Sequence, residues 1–242
     1  MPRDLPVAAS LELLNLRFGA QPAEAALAHA LSGALGRVAM VSSFGADSAV
    51  LLHMLSRIDR DTPVLFIDTL MLFPETLAYQ RALAHHLGLT GIRVIRPDRQ
   101  EIFAKDTDAL LHRAHPDACC DLRKTRPLET ALAGFDGWIS GRKRFQGGAR
   151  TDLDLFESEE AGRIKVNPLA GWDARAVASY LDRHALPRHP LVARGYPSIG
   201  CAPCTGPVAP GEDPRAGRWR GQEKTECGIH LAGGRIERRQ AS

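Results

Sequence analysis

Five cysteines, Cys119, Cys120, Cys201, Cys204 and Cys227, are the residues of this chain best suited to chemistry. Two are adjacent, in CCDLRKTRPL (119–128), and two form a C-x-x-C pair, in CAPC (201–204). Neighbouring cysteines do not close an ordinary unstrained disulfide with each other. An odd number clustered in this way argues for metal binding or redox chemistry over a disulfide scaffold. Two pairs of thiolates make a four-sulfur set for zinc or for an iron–sulfur cluster. Zinc sites usually space each pair by two to four residues, whereas the cubane offers separate iron corners to adjacent thiolates, so a [4Fe–4S] cluster is favoured over zinc. The fifth cysteine stands apart in KTECGIH (224–230), with Lys224, Glu226 and His230 beside it. A thiol next to cations can ionise near neutral pH, and a tail can carry such a thiolate to a bound substrate.

Anion-binding features accompany the thiols. SSFGADS (42–48) matches an S-G-G-x-D-S pyrophosphate loop at Ser43, Gly45, Asp47 and Ser48, with Phe44 in place of the first glycine. Backbone N–H groups and a helix dipole hold anions in such a turn, but a ring where glycine would stand is expected to obstruct a polyphosphate. RAGRWR (215–220) and SGRKRFQGGAR (140–150) are the densest basic stretches, and arginine's planar fork suits phosphate and sulfate oxygens. Trp219 between Arg218 and Arg220 is unusual for a plain solvated surface.

The elements that must position these residues follow from periodicity. Residues 1–36 read as helical around Pro22. Apolar runs at 37–45, 63–69, 92–97 and 137–144 read as strands, and the first three alternate with amphipathic helices at 46–58 and 74–88. The expected fold is α/β: a mainly parallel sheet flanked by helices, with an irregular tail rich in Gly, Pro and charge. Three regions are expected: a helical segment at 1–36, an α/β domain at 37–200, and a tail at 201–242 carrying C-x-x-C and Cys227. SSFGADS and SGRKRFQGG both fall at the carboxyl edge of the sheet, where ligands of such sheets sit.

At 242 residues, 44% hydrophobic and 24% charged, the composition is that of an ordinary globular protein. The net charge of +3 suits an anionic small molecule and is too weak to imply nucleic acid. No apolar run reaches the roughly 18 residues of a membrane span, and the N-terminus does not read as a secretory signal, so a cytoplasmic location is expected.

The ordered set SSFGADS, FIDTLMLFPET, CCDLRKTRPL, WISGRKRFQ, NPLAGW, YPSIGCAPCT, GEDPRAGRW and KTECGIH resembles the assimilatory sulfonucleotide reductases, specifically the iron–sulfur adenylyl-sulfate (APS) reductases. The resemblance covers about residues 37–231 and implies an adenine nucleotide α-hydrolase-like fold of the PP-loop type. It implies that Cys119, Cys120, Cys201 and Cys204 ligate a [4Fe–4S] cluster; because attack by a thiolate on sulfur needs no one-electron carrier, the cluster is expected to be electrostatic and structural in role. It implies that Cys227 attacks the sulfur of APS, expels AMP and becomes an S-sulfocysteine, from which thioredoxin or glutaredoxin releases sulfite. Lys124 matches a lysine between cluster and sulfate, Arg215 and Arg218 match arginines that hold sulfate and phosphate, and His230 matches a histidine by the nucleophile. Ser42, Ser43, Phe44 and Gly45 match the substrate loop, with Arg142 and Arg144 on a neighbouring strand edge. Two departures soften the nucleotide pocket: Leu70 stands where many relatives have glycine in D-T-G, and Phe145 and Gly147 interrupt an R-R-D-Q-S pattern.

The 3′-phosphorylated substrate PAPS is the nearest alternative, since one extra phosphate needs only one or two added cations. An ATP-dependent RNA thiolation enzyme would need an intact Gly-Gly loop, which Phe44 interrupts. A zinc-binding interaction module would leave Cys227 incidental. A homo-oligomer is compatible with the sequence.

Overall fold

A computed structural model describes residues 7–159, 161–222, 224 and 226–230. Two helices lead the chain, α1 (Val7–Phe18) and α2 (Ala23–Leu31), parted at Pro22. Then come β1 (Val38–Ser42), α3 (Ser48–Ile58), β2 (Val64–Ile67), α4 (Pro74–Leu87) and β3 (Ile92–Ile95). Pro74 opens α4 at a position where its missing N–H costs nothing, and Gly88 closes it at φ 64°. Short helices α5 (Arg99–Lys105), α6 (Leu111–Ala114), α7 (Pro116–Cys120) and α8 (Arg126–Leu132) lead to β4 (Gly137–Ile139). After β5 (Phe156–Ser158) and β6 (Ile164–Val166), α9 (Ala174–Arg183) is the last α-helix among the described residues.

The strands form one sheet in the order β3-β2-β1-β4-β6-β5, parallel throughout except for the antiparallel β5–β6 pair. β1 and β2 are buried at every residue, as expected of parallel strands covered on both faces. Side chains alternate between two cores. Val38 and Met40 join α2, α3, α4 and α9 on one side, and Ala39 and Val41 join Leu128 and Leu132 of α8 on the other. The N-terminal helices enter the larger core directly, through Leu11, Phe18, Ala26 and Leu27.

The chain moves outward from β1 to β2 and β3, then returns to the opposite side of β1 as β4. That reversal opens a crevice beyond the carboxyl ends of β1 and β4, the switch point where ligands of such sheets bind. The fourth strand is shorter than expected, ending at Ile139; Ser140 N still donates to Val166 O at 2.8 Å, and Ser140–Lys143 line the crevice. β5 and β6 were not anticipated, because three-residue strands of mixed polarity carry no readable alternation.

Candidate active site

The β1–α3 turn forms one wall of the crevice, through Ser42, Ser43, Gly45, Asp47 and Ser48. Asp47 stands at the N-cap of α3 but does not cap it. Its carboxylate instead accepts from Lys143 Nζ at 3.0 Å, while Ser48 N and Val50 N at the start of α3 donate to the carbonyls of Gly45 and Asp47. Phe44 requires a correction. Its backbone takes the left-handed turn at φ 49°, but its ring is wholly buried in the core, edge-on to Phe66 at 5.3 Å. The ring lies beneath the loop and not over it, so it does not obstruct the crevice.

The β4 exit supplies cations already matched to carboxylates. Arg142 is buried and donates to Glu157 and, at 3.3 Å, to Asn167 Oδ1. Lys143 is buried on Asp47, and Arg150 on Glu226 at 2.5 Å. Arg144 is corrected: it is exposed, donates to the Leu153 carbonyl at 2.8 Å and does not line the crevice.

The cysteine pairs meet at the β2 exit. Cys201 pairs with Leu72 in an isolated antiparallel bridge, Ala202 N donates to Met71 O at 2.8 Å, and Cys201 Sγ lies 3.2 Å from Thr69 Oγ1. From the other side, α7 ends in Cys119–Cys120 and runs into a π-helical turn, Asp121–Thr125, a rare geometry common at functional sites. Within that turn Arg123 is buried, forks onto Asp106 at 2.6 and 3.0 Å and reaches Thr69 O at 3.1 Å, fixing α7 to the β2 loop. Arg126 pairs with Asp121 and Glu101 nearer the surface. Of the three cations after the cysteine pair, Lys124 is the one that lines the crevice.

Burial raises the Cys119 thiol to about 11, against the pull of Arg123 and with the charges of Cys201 and Cys204 adding to it. Burial and Cys201 likewise raise Cys204. All five cysteines are free, and the four expected ligands come from two segments packed on one loop. Among the described residues no three His, Cys, Asp or Glu side chains gather as a single-ion cage.

The tail closes over the crevice. Thr205 and Arg218 form an isolated bridge, and Gly206 N donates to Gly217 O at 2.8 Å. A side chain at Gly217 would strike Gly206 O at 2.1 Å, so glycine is required for this approach. Trp219 is buried, with Arg218 stacked 4.4 Å from its ring centre. Arg218 lines the crevice, and its Nε is buried without a hydrogen-bond partner among the described residues. Lys224 pairs with Asp117 of α7 at 2.6 Å. Glu226 accepts from Arg150, from Arg215 at 3.5 Å and from Cys227 N at 2.9 Å. Its burial alone would raise its pKa, but Arg150 and Arg215 hold it at about 2.

Cys227 is thereby buried, 4% exposed, against the crevice. The Cys120 thiol donates to it and, together with Lys124 and Lys224, holds its pKa well below the ordinary thiol value despite burial. Burial also works against charge on Lys124, yet Cys227, Cys201 and Cys120 outweigh it and raise the lysine's pKa. Cys227 is thereby made the more acidic thiol of its pair with Cys120, beside a lysine whose charge is favoured.

Lys124, Arg142, Arg215, Arg218, Ser42, Ser43, Gly45, Cys201 and Cys227 therefore line one crevice. The backbone of His230 ends the turn Gly228–His230, and its side chain lies outside the described residues. Lys143, Arg150, Glu226 and Thr69 were not singled out from sequence as site residues. Lys143 and Arg150 belong to the basic stretch already noted, but an irregular loop has no periodicity to show which of its cations turn inward.

Comparisons agree with this geometry. Residues 37–207 match the phosphoadenosine phosphosulfate reductase domain. A protein of Mesorhizobium japonicum named adenosine 5′-phosphosulfate reductase is 54% identical over 205 residues, 85% of this chain and 80% of its own length. One of the same name from a Chelativorans species is 47% identical over 232 residues, 94% of each chain. A solved phosphoadenylyl-sulfate reductase from Candida auris, in complex with phosphate, superposes with a TM-score of 0.70 at 27% identity, covering 82% of this chain and 96% of that one. With the switch-point crevice, the buried Cys227 and most of the chain's length all in agreement, this chain belongs to the phosphoadenosine phosphosulfate reductase family.

Proposed function

We propose that the enzyme reduces adenylyl sulfate to sulfite and AMP through Cys227, as an oxidoreductase of sulfate assimilation and cysteine biosynthesis. The carrying observation is the buried Cys227, whose thiol Lys124 and Lys224 help to acidify, set with Lys124, Arg215 and Arg218 in a crevice whose other wall is the β1–α3 turn. The Cys227 thiolate attacks the sulfur, the S–O bond to phosphate breaks, and its electron pair leaves with AMP, so that Cys227 carries a thiosulfonate. Three sulfate oxygens repel an incoming thiolate; Lys124 and Arg218 offset that repulsion, and Arg215 faces the departing phosphate charge. A dithiol protein of the thioredoxin or glutaredoxin class then attacks Cys227 Sγ and releases sulfite. Its second thiol resolves the mixed disulfide, the dithiol is oxidised and Cys227 is restored as a thiol.

The donor set fits an iron–sulfur cluster. Adjacent Cys119 and Cys120 suit separate irons better than one tetrahedral ion, and Cys201 and Cys204 lie near enough to Cys119 to raise its pKa. When bound, a [4Fe–4S] cluster would join α7 to the 201–204 turn through four iron–thiolate bonds. His230 is assigned beside the nucleophile, and the cytoplasm is the expected compartment; no helix among the described residues is long and apolar enough to cross a membrane.

Anaerobic sulfite release from APS, with thioredoxin, tests the reading. Cys227→Ser is expected to lose roughly a thousandfold or more in rate. Equal rates in both proteins overturn the mechanism.

A further inference from the structure

Charge pairing in the crevice bears on which sulfonucleotide it accepts, an inference that rests on the proposed activity. Six cations line the cavity among the described residues: Lys124, Arg142, Lys143, Arg150, Arg215 and Arg218. They are not equivalent. Lys124 and Arg218 lie on the side of Cys227, where, among the described residues, Lys124 makes no hydrogen bond or salt bridge and Arg218 Nε has no partner. On the side of β1 and β4 every cation is matched: Lys143 by Asp47 at 3.0 Å, Arg142 by Glu157, and Arg150 by Glu226, which Arg215 shares.

With its sulfur at Cys227, a sulfonucleotide must extend its nucleoside toward the other wall, formed by Ser42–Ser48 and Ser140–Lys143. A phosphate on the ribose adds close to two further negative charges at that wall. It would find no unmatched cation there, and Asp47 would repel it.

We propose that Asp47 is a specificity-determining residue: by occupying Lys143 it withholds the one ammonium of the β1–β4 wall and disfavours a 3′-phosphorylated substrate. The pair is built for this. Lys143 is 2% exposed and donates to Gly141 O at 3.1 Å as well as to Asp47. Asp47, at the helix N-cap, has given up the usual capping bond to reach it.

The test compares wild type, Asp47→Asn and the double variant Asp47→Asn/Lys143→Gln. Sulfite release is measured from APS and PAPS, and binding of AMP and adenosine 3′,5′-bisphosphate is measured by calorimetry. Wild type is expected to prefer the unphosphorylated ligand in both assays. Asp47→Asn is expected to move both ratios about tenfold toward the 3′-phosphorylated ligand, and the double variant to return them toward wild type, because the freed ammonium is then gone. Unchanged ratios in Asp47→Asn overturn the inference. So does a double variant that keeps the shift, which would indicate mere loosening of the wall. Wild type preferring PAPS also overturns it while leaving the reductase reading intact. Absence of sulfite from either substrate overturns the activity instead, and the two binding arms still read the role of Asp47.

Discussion

Leu70 and His189 show how single residues bear on stability beside the site. Leu70 holds φ 61° with 44% of its surface exposed. Its amide donates to Asp68 Oδ1 at 3.1 Å, so a left-handed turn that favours glycine is held here by leucine at the expense of backbone strain. Leu70→Gly is expected to raise unfolding stability by about 1 kcal/mol, measured by urea denaturation; a loss of that size would show that the exposed side chain packs more than it strains. His189 is 1% exposed, accepts from Leu191 N through Nδ1 and lies 3.0 Å from Thr76 Oγ1 through Nε2. Burial lowers its pKa to about 4, against the pull of Glu75. A depressed pKa means that the unfolded chain takes up the proton first as pH falls. The contribution is therefore whole above about 6.5 and is lost between about 6.5 and 4, a loss of roughly 2–3 kcal/mol. Urea midpoints across that range should fall in wild type and fall less in His189→Gln.

At the scale of elements, the tail is held by buried ion pairs at both flanks of Cys227. Lys224 reaches back to α7 through Asp117, and Glu226 reaches the β4 loop through Arg150. Glu226, at about 2, keeps its charge across the neutral range; its clamp is present above the ordinary carboxylate pKa and is lost only as pH falls toward 2. Glu226→Gln leaves Arg150 buried without its counter-charge, at a cost of about 3 kcal/mol. Iodoacetamide should then alkylate Cys227 roughly a hundredfold faster than in wild type, and an unchanged rate would show that the clamp does not hold the tail. Gly217→Ala should act in the same direction from the other strand of the bridge, because its methyl group meets the Gly206 carbonyl.

Across the whole molecule, the sheet reversal makes the crevice, and the β2 exit loop joins cysteines from two distant stretches of chain. Without a ligand, burial and mutual repulsion raise the thiols of Cys119 and Cys204. Ligation by iron would relieve that cost and add a cross-link, so metal removal should weaken the fold as well as the activity. Anaerobic protein is expected to contain iron and acid-labile sulfide. Chelation should lower Tm by roughly 5 °C. Cys204→Ser should behave like the chelated protein, and an equal Tm in all three would remove the structural role assigned to the cluster.

The sequence by itself determined the repeating parts and the reactive types. Hydrophobic periodicity located β1, β2, α3 and α4, and Pro74 with Gly88 marked the ends of α4. The cysteine pattern set the chemistry, since a thiol's reactivity is a property of its type and near neighbours. Tertiary structure alone decided which cations face the crevice, that Phe44 points into the core, and that Arg144 turns to a carbonyl while Lys143 beside it is buried on Asp47. The reason is physical. Periodicity exists where the backbone repeats; in a loop each side chain's direction is set by partners such as Asp47 and Glu226 that lie far away in the chain.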